Sequence, residues 1–265
     1  MADTRTPPVL RLLGYGLLSS YQDYRAMFTW RSWAGGWLVR LICQVLFFAT
    51  LGRLLGSAQT QAYIAFGNAA VLGPLGALGV VSSTAGERRA GTLQFLLITR
   101  SDPFLVLASR GLYWVADGLL TSTIALVLVP LALPVPLRWA ALPAIVAVGA
   151  LTTLSCYCLA LALAGLSVRR PQARMYLTAG TTIALMLFAG VTTDAPRTGP
   201  WAALSAVLPV THGLSAMRAL AQGHPAPPTA LLAEAAVGLA WGVLAHLLLG
   251  RALRHTVRTG TLALS

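Results

Sequence analysis

Two residues in this chain have the types needed for acyl hydrolysis: Ser215, in Gly213-Leu214-Ser215-Ala216, and His246, in Ala245-His246. A serine nucleophile and its base must come within about 3 Å of each other. Ser215 precedes the last long apolar run, whereas His246 lies 17 residues into it. At 1.5 Å per helical residue the histidine is about 26 Å deeper, which disfavours an intramembrane hydrolase. The three cysteines, Cys43, Cys156 and Cys158, all sit in apolar runs. Residues two apart on a helix do not face each other, so Cys156 and Cys158 read as small packing residues. No spaced carboxylate pair and no metal-ligand cluster emerges, so neither a catalytic residue nor a metal site is expected. All 19 basic residues are arginine. A GxxxxGK[ST] phosphate loop needs its lysine, so any ATP used here binds to another polypeptide.

The remaining chemistry lies in polar groups within apolar runs, which are rare in lipid and often functional. Asp117 is nearly the sole titratable candidate, mid-way along its run. Arg110 lies seven residues earlier on the same helical face, about 10 Å away by rise, so each needs a different partner. Gln44, Asn68, Arg110 and Asp117 read either as a polar transport path or as hydrogen bonds that hold helices together. Ala65, Ala69, Gly73 and Ala77 form a small-residue stripe that permits close helix contact. Pro74 is expected to kink that helix.

The elements that carry these residues follow from composition. The chain has 265 residues, 57% hydrophobic and only 10% charged, with a mean hydropathy of +0.73. A soluble domain carries about 25% charged residues; runs of about 20 apolar residues, each long enough to span a bilayer, explain the deficit. Six spans are expected, at about 37–55, 62–83, 104–133, 141–168, 175–192 and 229–250. They must be helices, because each backbone polar group in lipid needs an internal partner. The fold class is therefore an all-α polytopic membrane protein, one domain over residues 1–265. A polar arm is expected over 1–14, then an amphipathic helix from Tyr15 to Trp33 lying on the inner surface; together they fill residues 1–36. Residues 193–228 hold two apolar pieces, 201–208 and 210–220, separated by Pro209 and too short to cross; they are expected as short interfacial or re-entrant helices on the extracellular side, before the last span. Fifteen of the 19 arginines fall on one side of this arrangement, which places both termini, including the basic tail at 251–265, in the cytoplasm. No cleaved signal peptide is expected. The use of arginine alone points to a GC-rich genome.

The polar segment after the second span reads Glu87-Arg88-Arg89-Ala90-Gly91-Thr92-Leu93-Gln94-Phe95-Leu96-Leu97. This E-x-x-x-G-T-L-x-x-L-L stretch resembles the ABC-2 type permeases, membrane subunits of one class of ATP-binding-cassette exporters, including the daunorubicin-resistance drug exporters. The segment before the last span agrees, with Pro209, Gly213, Leu214, Ala216 and Arg218 in a Pro-x-x-x-G-L-x-A-x-R pattern. Gln94 departs from the glutamate frequent in the family. The resemblance implies that residues 85–99, within a cytoplasmic segment at 85–103, form a coupling helix. Its expected ATPase-coupling residues are Glu87, Arg88, Arg89, Gly91, Thr92, Leu93, Phe95 and Leu96, an apolar anchor with a charged rim. It implies an outer gate at the short helices, where Trp201, Pro209 and His212 are candidates.

The expected function is accordingly a permease subunit that moves a hydrophobic small molecule, drug or lipid-like compound out of a bacterial cell through the plasma membrane. The expected partners are two copies of an ATPase subunit holding ATP and magnesium, a second copy of this chain or a related permease, and the lipid bilayer; nucleic acid is not among them. The chain itself binds no cofactor in this reading. Alternatives are an ion-coupled secondary transporter and a permease for a polysaccharide or lipid-linked cargo.

Overall fold

A computed structural model describes residues 8–27, 29–89, 102–133, 135, 137–195 and 198–259. Among them every regular element is helical. The N-terminal helix α1 spans Pro8–Met27. A short helix α2, Trp30–Ser32, is closed by a capping box in which Thr29 Oγ1 accepts from the Ser32 amide and Ser32 Oγ accepts from the Thr29 amide. It runs through a π-helical turn, Trp33–Leu38, into α3, Val39–Leu55. Then follow α4 (Ala58–Ala77), α5 (Gly79–Arg89), α6 (Pro103–Ala132), α7 (Leu142–Arg169), α8 (Arg174–Phe188), α9 (Pro200–Val207), α10 (Thr211–Ala221) and α11 (Pro228–Thr259).

Five of these stretches are long and apolar enough to cross a membrane: Trp30–Leu54, Ala58–Glu87, Phe104–Ala132, Trp139–Val168 and Pro228–Leu253. The second of them is the most enclosed, with 78% of its apolar window buried, so it forms the centre of the bundle. Its small-residue stripe is the reason. Ala65, Ala69 and Ala77 are fully covered, and Gly73 meets Gly118 of α6 so closely that a Cβ on Gly118 would collide with the Gly73 carbonyl. Pro74 lacks an N–H and so leaves the Ala70 carbonyl without its helical donor. Ser122 Oγ of α6 donates to Ala69 O at 2.9 Å and to Ala70 O at 3.2 Å. The helix then breaks at Leu78 between α4 and α5.

Contacts along the helices fix their directions. Gly73 lies beside Gly118, and Trp114 Nε1 donates to Ser83 Oγ at 3.3 Å, so α4–α5 and α6 are antiparallel. Tyr157 OH donates to Ala108 O at 2.5 Å while Gly149 meets Leu119, so α6 and α7 are antiparallel too. The most extensive packing, α7 on α11, is different. Gly238 faces Ser155, Gly242 faces Cys158 and Gly165 faces Leu249; these two helices run parallel.

Several boundaries differ from the sequence reading. The first apolar helix begins at Trp30, seven residues before the expected start, because the π turn carries helical hydrogen bonding through Gly35 and Gly36. The second extends to Glu87, so the polar segment begins inside α5. The fifth expected span, 175–192, is a helix of only 15 residues, α8, ended by a bend with Gly190 at φ +81°. At 1.5 Å per residue it covers about 22 Å. The expected basic tail continues α11 as far as Thr259. The amphipathic helix expected over 15–33 is α1, which starts at Pro8, inside the expected polar arm, and ends at Met27. It docks along α6, where Gly16 abuts Ser109 and Tyr21 sits 6.3 Å from Tyr113 ring to ring, while Tyr15 and Leu18 stay exposed.

Candidate functional site

At the end where α5 closes, Glu87 and Arg110 form an ion pair of 2.6 Å, with side chains only 17% and 21% exposed. Arg110 Nη1 also donates to Ser19 Oγ at 2.9 Å, and Ser20 Oγ donates to the Arg110 carbonyl. The node thus joins α5, α6 and α1. The start of α6 is set locally, since Asp102 Oδ1 accepts from the Phe104 amide at 3.0 Å and Pro103 occupies the first turn, where its missing N–H costs nothing. Arg88 and Arg89 lie in the last turn of α5. Gly91, Thr92, Leu93, Phe95 and Leu96 lie outside the described residues.

The seven-residue separation of Arg110 and Asp117 behaves as expected, since they have different partners. Asp117 is buried and accepts from Trp33 Nε1 at 2.8 Å. It borders a cavity of about 650 Å³ together with Tyr21, Arg25, Trp30 and Tyr113. Asn68 is buried in α4 and donates to Ile64 O at 3.0 Å within its own helix. Gln44 is half-buried on α3. The four candidate path residues are therefore not gathered into one site.

The opposite end holds a larger constellation. Helices α9 and α10 fold back on each other through a turn at Pro209 and Val210, and His212 Nε2 lies 3.2 Å from Ala206 O. Trp201 stacks on Phe188 at 5.1 Å, and Ser205 Oγ donates to Phe188 O at 2.8 Å, which ties α9 to the end of α8. Between these helices and α4 is a cavity of about 690 Å³ bordered by Tyr63, Asp194, Ser205, Thr211, His212 and Arg218. Of the three gate candidates, only His212 borders it.

Arg218 of α10 crosses to α4. Its Nη1 donates to Tyr63 OH at 2.5 Å and to Gly190 O at 2.6 Å, and Nη2 donates to Tyr63 O at 3.3 Å and Val191 O at 3.2 Å. The guanidinium lies 3.5 Å from the Tyr63 ring centre, within cation–π range. Tyr63 OH in turn donates to Asp194 Oδ1 at 2.9 Å. Burial draws Arg218 below its ordinary value, opposed by Tyr63 and Asp194.

Glu234 completes this end and corrects the view of Asp117 as nearly the sole titratable group in a span. It is fully buried in α11 and accepts from the Val210 amide through Oε1 and from the Gly213 amide through Oε2, each at 2.9 Å. A lone glutamate early in an apolar run was the signal available in the sequence. Ser215 donates to His212 O at this end, whereas His246 packs edge-on against Phe104 at the other. Ser215 and His246 thus lie at opposite ends of the bundle and do not pair with each other.

Long apolar helices with a buried small-residue core, polar nodes at both ends and short helices at one end define a multi-pass all-α membrane protein. The chain belongs to the ABC-2 type transporter family, whose model matches residues 22–221. No curated protein and no solved structure gives a match. The family's domain is the transmembrane permease component of an ABC transporter; it is not itself catalytic and generally works with an ATPase subunit.

Proposed function

We propose that this chain is the permease subunit of an ATP-driven exporter that moves a hydrophobic small molecule, drug or lipid-like compound out of a bacterial cell, with a role in drug efflux or antibiotic resistance. The family membership, with residues 22–221 matched, is the observation that carries the reading. Two ATPase subunits hold ATP and magnesium, and two permeases, identical or related, form the path. The chain crosses the plasma membrane six times with both termini in the cytoplasm. The parallel packing of α7 and α11 supports this count: two crossing helices that run the same way need one return between them, and in this reading α8 supplies it.

The cycle uses the nodes at each end. The segment that begins at Glu87 docks on the ATPase, with Arg88, Arg89, Gly91, Thr92, Leu93, Phe95 and Leu96 as its contact. Closure of the ATPase pair on ATP pulls this segment. The Glu87–Arg110 pair passes the pull to α6 and α1, and the helix α4–α5 carries it to Tyr63, whose clamp on Arg218 reaches α9 and α10. Those short helices act as the exit gate, Trp201 and Pro209 shaping the fold-back and His212 facing the cavity.

Affinity capture of the tagged chain from its native membrane, followed by ATP hydrolysis and vesicle transport assays, tests this. The expected result is a bound nucleotidase and transport that needs ATP. Cargo movement by the purified chain alone under an ion gradient overturns the reading in favour of a secondary transporter.

A further inference from the structure

The geometry points to Glu234 as the positioning residue that latches the exit gate closed. This rests on the reading of α9 and α10 as that gate. The turn before α10 is unfavourable in itself. Pro209 has no N–H to donate, and Val210 adopts φ +86°, a left-handed conformation that a β-branched residue resists. What holds the turn is a residue on another helix. Both oxygens of Glu234 are engaged, one by the Val210 amide and one by the Gly213 amide, at the helix end where the backbone dipole favours negative charge. Gly213 also presses against Thr152 of α7, leaving no room for a Cβ. Glu234 is fully enclosed, so its carboxylate relies on these amides; a buried charge without partners is strongly disfavoured. Outward movement of α10 must either carry α11 with it or break both bonds and admit water. Arg218 secures the same helix to α4. The gate helix is thus held by charge-assisted bonds to two different spans, and release at Glu234 is the step tied to the last one.

The test uses the full chain in liposomes with its ATPase subunit, and a reporter, Ser205→Cys. Ser205 is 2% exposed and borders the outer cavity, so a membrane-impermeant maleimide reaches it when α9 and α10 lift. Ser215→Cys, already exposed, serves as a reference that should label alike in every variant. With native Glu234, labelling at position 205 should rise on adding ATP; no response to ATP refutes the gate reading itself. Glu234→Gln offers one acceptor and sets an NH2 group against the second amide, so ATP-free labelling should rise about tenfold, with ATP hydrolysis still present. An unchanged labelling rate in that variant overturns the latch and leaves the gate reading standing. Val210→Gly keeps both amides and removes the left-handed strain, so labelling should slow. If Glu234→Gln does not accumulate, Glu234→Asp decides: it keeps the charge but is one methylene too short to hold both amides, so faster ATP-free labelling supports the latch and unchanged labelling overturns it.

Discussion

Removing the guanidinium at Arg110 separates the end of α5 from α6 and α1. In Arg110→Ala, Glu87 loses a charge-assisted bond of 2.6 Å and Ser19 loses its donor. A hydrogen bond to a charged group contributes about 1.5–3 kcal/mol. The two side chains remain 21% and 17% exposed, so water screens part of this, and about 1.5–2 kcal/mol is the appropriate range. That corresponds to roughly a tenfold to thirtyfold rise in opening of the last turn of α5. Hydrogen–deuterium exchange of residues 80–89 should quicken by this factor, while protection in α7 and α11 stays as it was. With the coupling segment acting as proposed, ATP hydrolysis in the complex should continue with less cargo moved per ATP, because its pull no longer passes to α6. A charge-reversed pair, Glu87→Arg with Arg110→Glu, should recover part of the protection that either reversal alone removes. Unaltered exchange in Arg110→Ala, or a double reversal no better than the worse single one, would refute the reasoning.

Other outcomes follow from the packing. Tyr63→Phe removes the hydroxyl that accepts from Arg218 and donates to Asp194; a loss of about 1–2 kcal/mol should appear as a lower melting temperature and looser α10 in exchange experiments. Arg218→Lys should not rescue the clamp, since a single ammonium cannot reproduce the fork to Tyr63, Gly190 and Val191; melting equal to that of the parent would count against it. Gly118→Val places side-chain carbon against the Gly73 backbone and should cut folded yield by forcing α4 and α6 apart, at a cost of about 2–3 kcal/mol. Ser122→Ala strands the Ala70 carbonyl opposite Pro74, costing about 1–2 kcal/mol with little volume change, measurable by thermal unfolding in detergent.

Fold class was legible in the residues because lipid leaves so few choices. Long uncharged runs become helices, arginine position marks their ends, and the Glu87-to-Leu97 segment carries enough pattern to identify the family. The small-residue stripe on α4 was legible for the same reason: a spacing of four residues is a property of one helix. Partnerships between helices were not. Helical rise shows that Arg110 and Asp117 stand too far apart to pair, but not that Glu87 of α5 meets the first and Trp33 the second. Tyr63, Asp194 and Arg218 are separated by more than a hundred residues at the extremes, and no periodicity links them. Glu234 stood in plain view as a carboxylate in an apolar run, but its meaning depends on the amides of Val210 and Gly213. Backbone donors carry no trace in residue identity. Only the parallel seating of α11 on α7 and the fold-back at Pro209 bring those amides to the carboxylate, so the local sequence decided which segments are helices and the tertiary packing decided which of them hold one another.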